Sequence, residues 1–184
     1  MTDQPAPNKK KRVNSKSKGN GFENKIAKLL SEKLAPLTFV RSQGSGARVG
    51  GKNFETMGKM FGEDALKLFV GDIVPTNERD VDLDFRFSIE CKFYKTAERM
   101  ESLLTGSSLI YGWMNEALND AQKINRAGLV IFKFNNTKCY VAVDRFMQLP
   151  VNNKITILNG IQVCLLDDLL EQTHFWTRGK QVQI

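Results

Sequence analysis

Histidine is nearly absent: His174 is the only one in 184 residues. It stands in Thr173-His174-Phe175-Trp176 with no companion motif, so neither a histidine-based nuclease nor a Ser-His-Asp or Cys-His relay is expected. Cysteine is scarce too. Cys91, Cys139 and Cys164 are widely spaced and form no C-x-x-C pair. With one histidine they make no ordinary zinc set, and they are expected to be reduced core thiols. No run approaches the roughly 20 apolar residues that cross a bilayer. No apolar stretch follows the early basic residues, so no secretory signal is expected. These absences place the chain in the cytosol with no membrane partner.

Positive charge is what the sequence has in excess, with a net +7 and a pI of about 9.4. A polyanionic partner is expected. The excess is local: Lys9, Lys10, Lys11, Arg12, Lys16 and Lys18 oppose only Asp3 in residues 1–18. That segment is also rich in Pro, Ser, Asn and Gly and reads as a disordered basic tail. It is expected to serve as a solubilising tail, as a crude nuclear-import signal if the host has a nucleus, or as an arm for phosphate contacts. The chain as a whole is 41% hydrophobic, and residues 19–184 are long enough for one domain with its own core.

Hydrophobic periodicity predicts the elements. Residues 20–35 read as a helix in which Ala27, Leu30 and Leu34 share a stripe with Glu23, ended by Pro36. A carboxylate on that stripe needs a partner. Leu37–Arg41 reads as a short strand. A glycine-rich loop follows, and residues 47–68 look like an insertion. Phe69–Pro75 reads as a buried strand with Asp72 inside it. Asp80, Asp82 and Asp84 imitate the start of a calcium loop, but Phe85 and Cys91 stand where that loop needs Gly and Glu. Phe85–Phe93 alternates cleanly, with Arg86, Ser88, Glu90 and Lys92 on one face. Ile110–Asn125 reads as an amphipathic helix with Trp113, Met114, Ala117, Leu118, Ala121 and Ile124 inward. Gly128–Phe134 and Cys139–Val143 read as strands. Ile155–Leu158 and Ile161–Leu166 read as a hairpin across Asn159-Gly160, a type I′ signal. A last helix is expected over residues 167–176.

Glu-x-Lys alone is common; Glu23-Asn24-Lys25 is another instance in this chain. At 90–92, however, both polar side chains leave one face of a strand between core residues. Phosphodiester hydrolysis calls for a divalent ion to polarise the phosphoryl group and activate water. Magnesium takes hard oxygen ligands and needs few carboxylates. Asp72 and Glu90 on neighbouring strands, the Cys91 carbonyl, and Glu23 from its helix are the expected ligands. Lys92 is expected to orient the attacking water and offset phosphate charge. The bland reading is a set of strand-end ion pairs, but carboxylates are costly to gather without a cation.

Four segments resemble the archaeal-type Holliday-junction resolvases of the PD-(D/E)XK superfamily. They are Lys18-Gly19-Asn20-Gly21-Phe22-Glu23, Phe39-Val40-Arg41-Ser42-Gln43-Gly44-Ser45, Gly71-Asp72-Ile73-Val74 and Ser88-Ile89-Glu90-Cys91-Lys92. The resemblance spans roughly residues 16–134. It implies an α/β, restriction-endonuclease-like domain: a central mixed β-sheet flanked by helices. It further implies a homodimer that cleaves branched, four-way DNA with Mg2+ or Mn2+. Glu23, Asp72 and Glu90 match the family's metal-binding acids and Lys92 its catalytic lysine. Arg41, Ser42 and Ser45 of the second segment are expected to bind the nucleic acid; Arg41 matches the family's strand-end arginine and Ser45 a serine near its active site. Arg48 and Lys52 are basic residues of the same loop expected to hold DNA phosphates. The sequence departs from the family between Ser45 and Asp72, between Asp72 and Glu90, and at its C-terminal end. A restriction-like or repair nuclease acting on duplex, nicked or flapped DNA is the alternative of the same fold. A nucleic-acid-binding protein without catalysis is the alternative of another class.

Overall fold

A computed structural model describes residues 14–42, 56, 58–60 and 62–178. Ser45, Arg48 and Lys52, most of the expected insertion, and residues 1–13 of the basic tail lie outside the described residues.

The centre is a seven-stranded mixed sheet. Its strands are β1 (Phe39–Arg41), β2 (Ile73–Pro75), β4 (Phe87–Tyr94), β5 (Ala127–Phe134), β6 (Cys139–Val143), β7 (Lys154–Thr156) and β8 (Gln162–Leu165). They lie in the order β1-β2-β4-β5-β6-β8-β7. Only β4 and β5 pair in parallel, with Glu90 opposite Val130; the other pairs are antiparallel. A parallel pair needs a crossover, which α4 (Leu109–Lys123) supplies. Two small strands, β3 (Asp84–Phe85) and β9 (Thr177–Arg178), pair with each other apart from this sheet.

Alternation along the central strands builds two cores. On one face, Phe87, Ile89 and Cys91 of β4 and Leu129 and Ile131 of β5 meet Phe22, Ile26, Ala27 and Leu30 of α1 (Ser15–Lys33). The same core takes Leu166, Leu169 and Leu170 of α5 (Leu166–Leu170), then Phe175 and Trp176. On the other face, Val130, Phe132 and Phe134 meet Ile110, Trp113, Met114 and Ala117 of α4. β5 is therefore covered on both sides, and its sequence, Leu-Val-Ile-Phe, is a continuous apolar run rather than an alternating one. Two further short helices, α2 (Glu63–Leu66) and α3 (Met100–Thr105), flank this frame. No helix among the described residues is long and apolar enough to cross a membrane.

Several boundaries differ from the sequence reading. α1 starts at Ser15, capped by the Asn14 side chain accepting from the Lys16 amide at 3.1 Å, so Lys16 and Lys18 ride on the helix. Its buried stripe centres on Phe22, Ile26, Ala27 and Leu30, which leaves Glu23 at the stripe's edge. Phe85 belongs to β3, and the alternating strand begins at Phe87. At Arg86 the backbone turns to another partner, the Trp176 carbonyl, at 2.9 Å. Asp72 stands one residue ahead of β2 instead of within a long strand. The β7–β8 connection is a three-residue loop, Leu158-Asn159-Gly160, with positive φ at both Asn159 and Gly160. The Ile157 amide closes it onto the Ile161 carbonyl at 2.9 Å, which a two-residue type I′ turn would not do. The expected last helix is α5, then a 3₁₀ turn at Thr173–Phe175, then β9.

Candidate active site

The site forms where the chain enters β2 beside the middle of β4. Gly71 makes this possible. Its φ is +87°, and a Cβ there would stand 2.9 Å from the Ser88 hydroxyl and 3.0 Å from the Ile89 carbonyl. Only glycine combines that left-handed conformation with so close an approach. Asp72 then follows in contact with β4. Its amide donates to the Ile89 carbonyl at 2.7 Å, its carbonyl accepts from the Ser42 amide at 2.8 Å, and its Oδ2 accepts from the Cys91 amide at 2.8 Å. The amide and carbonyl of one strand residue point to the same edge, so the Cys91 carbonyl also faces Asp72.

Glu90 and Lys92 leave β4 on the opposite face from Cys91, toward α4. Lys92 Nζ lies 2.8 Å from Glu90 Oε1 and 2.7 Å from Glu116 Oε2 on α4. Glu90 and Lys92 side chains are 17% and 20% exposed. Burial first, then the charge of Asp72, pushes the Glu90 carboxyl up to about 7, against the pull of Lys92. Burial alone would lower the Lys92 ammonium, but hydrogen bonds to Glu116 and Glu90 outweigh it and hold it above the ordinary lysine value. Its partners thus favour the charged form of Lys92, which suits a hydrogen-bond donor to an anion. Burial, then Asp72, Glu90 and Glu23, hold the Cys91 thiol well above its usual value, so it stays protonated and is no nucleophile.

Glu23 has the partner its position required. Arg41 at the end of β1 donates through Nε to Glu23 Oε2, and through Nη2 to Asn20 Oδ1 at 3.0 Å. Arg41, expected on the DNA side, is thus tied to the helix that carries Glu23. Ser42, also expected to meet DNA, is 5% exposed, and its hydroxyl has no hydrogen-bond partner among the described residues. What it does contribute is its backbone amide, which donates a hydrogen bond to the Asp72 carbonyl.

Among the described residues, no three His, Cys, Asp or Glu side chains form a ready metal cage. The donors present still fit a magnesium-like ion. Asp72 and Glu90 are hard carboxylates, one of them largely buried, that repel each other. Magnesium is commonly held by one or two carboxylates with the rest of its shell water. A shared divalent cation would relieve that repulsion. Because Glu90 is raised, its proton and the cation compete. Magnesium affinity, measured by calorimetric titration, should therefore rise as pH goes from 5.5 toward about 7 and level off above it. Without metal the sign for folding is opposite. The raised carboxyl contributes most below its unfolded value near 4.5, and that contribution is lost as pH rises through about 7. An affinity flat across this window would contradict the assignment of Glu90 as a ligand.

Residues 14–163 match the family described as phage putative PDDEXK endonuclease. The chain belongs to this PD-(D/E)XK family. The match covers α1, both acids of the Asp72–Glu90 pair, Lys92, α4, six of the seven strands of the main sheet and the start of β8. The expected fold class is thereby met: a single α/β domain with a mixed sheet flanked by helices. The family description carries no junction specificity, so the resemblance to archaeal resolvases reaches only the superfamily. No curated protein and no solved structure matches the chain. Glu116 is the one site residue that the sequence reading did not single out. Its signal was faint: an acid flanking the apolar stripe of α4, between Trp113 and Ala117, on the side that faces the Glu-x-Lys strand.

Proposed function

We propose that this PD-(D/E)XK protein is a magnesium-dependent DNA endonuclease that cleaves branched DNA. The observation that carries the reading is the Asp72 carboxylate on the Cys91 amide, directly beside Glu90, with the Lys92 ammonium at Glu90. Asp72, Glu90 and the Cys91 carbonyl would hold the ion, with Mn2+ as a substitute for Mg2+. Held there, a divalent ion would supply Lewis-acid polarisation of the phosphoryl group and acidify a water. Lys92, held cationic, donates hydrogen bonds to the phosphoryl oxygens and offsets their growing charge. Glu23, fixed by Arg41, would add negative charge at the rim of the same site. The alternative without catalysis does not account for buried acids at a phosphate-binding surface, since acids repel phosphate unless a cation intervenes.

The preference for four-way junctions, and the homodimer whose two-fold axis would suit them, rest on the four resembling segments and on the basic excess of the chain. The test is a panel of labelled junction, forked, nicked, flapped and linear DNAs, incubated with magnesium, with manganese and with chelator. Metal-dependent incision with the junction cut fastest is expected. Equal cutting of linear duplex would replace the junction reading by the restriction-like or repair one. Binding of all five with no incision in either metal would reject the nuclease.

A further inference from the structure

We propose that Glu116 is a positioning residue for Lys92; this deepens the nuclease reading and rests on it. Lys92 has a flexible four-carbon stem and three ammonium donors. Two of them are taken by carboxylates on different elements: Glu90 on its own strand at 2.8 Å and Glu116 on α4 at 2.7 Å. Glu90 is a poor sole anchor, because its charge is also needed for the metal. Glu116 stands outside the metal-binding set, so it holds Lys92 whichever way Glu90 is engaged.

The helix that carries Glu116 is well fixed. Glu98 accepts from the Leu109 amide at 2.6 Å and from the Ser108 hydroxyl, and Ser108 in turn caps the Ile110 amide at 3.1 Å. Ile110, Trp113, Met114, Ala117 and Ala121 are buried against the sheet. Gly128 of β5 lets the helix backbone approach directly after Glu116: a Cβ at Gly128 would stand 3.0 Å from both the Ala117 carbonyl carbon and the Leu118 nitrogen. Glu116 is thus presented from a helix seated on the sheet, not from a loop. Its side chain is 61% exposed. An ion pair that open to water contributes little to folding, so holding the ammonium in place is the effect left for it.

Two readouts test this on the full chain. In cleavage assays with magnesium, Glu116→Ala should lower kcat by about 10–100-fold, with KM and Tm nearly unchanged. Glu116→Gln keeps an oxygen acceptor and should recover most of the loss. Added to Lys92→Met, Glu116→Ala should cost nothing further, because its effect passes through Lys92. Separately, nitrogen-15 NMR of the Lys92 ammonium in magnesium should show an ordered, slowly exchanging signal that Glu116→Ala abolishes and Glu116→Gln retains. An unchanged ammonium signal in Glu116→Ala overturns the proposal whatever the cleavage assay reads, as does wild-type kcat or a further loss in the Lys92→Met background. A wild-type chain that cuts no DNA while the ammonium signal still depends on Glu116 removes the nuclease reading and leaves the positioning role standing.

Discussion

Lys92→Met should lower kcat for DNA cleavage in magnesium by about 10²–10³-fold while DNA affinity in calcium stays close to wild type. The size follows from removing one charged donor at a developing oxyanion in a partly buried site. Methionine keeps most of the stem's volume, so the buried part of the side chain still packs. Asp72→Asn is the companion variant. Its amide oxygen can still accept from the Cys91 amide, as the Asp72 Oδ2 does at 2.8 Å. The fold at the Gly71 crossing should survive while the ligand charge is lost. Cleavage should then fall at least as far as in Lys92→Met, and magnesium affinity should fall with it. Wild-type turnover in both variants would reject the mechanism outright.

Trp176→Ala should destabilise the protein by about 3–5 kcal/mol. For a chain of this size that lowers Tm by roughly 6–20 °C. Trp176 is fully buried. It stacks on Phe85 with ring centroids 6.4 Å apart, meets Phe87 edge-on at 5.8 Å, and donates from Nε1 to the Leu169 carbonyl at 3.2 Å. Truncation to alanine removes all of these contacts; the Leu169 carbonyl keeps the Gln172 amide at 3.0 Å, so the loss is chiefly one of packing. Differential scanning calorimetry of the folded variant measures the effect. A shift of only one or two degrees would mean that the C-terminal segment is dispensable. The segment also lies beyond residue 163, where the family match stops, so this chain completes its core with residues outside the matched region.

The central strands were legible because burial on both faces writes itself into local sequence. Phe87, Ile89 and Cys91 alternate with Ser88, Glu90 and Lys92, and α4 keeps its apolar residues at helical spacing. The acids were legible for a different reason. Glu23 sat where a charge needed a partner, and Arg41 is that partner. What was not legible depends on contacts between distant segments. Phe85 continues the alternation of β4, so no local pattern shows that its backbone pairs with Thr177 and not with the main sheet. Asp72 reads as strand interior because Phe69 and Val70 are apolar. Its true position is set by the φ of Gly71, which reading periodicity does not reveal. Glu116 looks like an ordinary surface acid until α4 is laid over β4. Ser45, Arg48 and Lys52 remain expectations on the sequence side.

The β3–β9 pairing has a consequence for the order of synthesis. Thr177 and Arg178, which clasp Asp84 and Phe85 just ahead of the Glu90–Lys92 strand, leave the ribosome after every residue of the site. Such a long-range closure forms late in folding. The acids and the lysine are therefore all synthesised before the strand pair that fixes the approach to β4 can form.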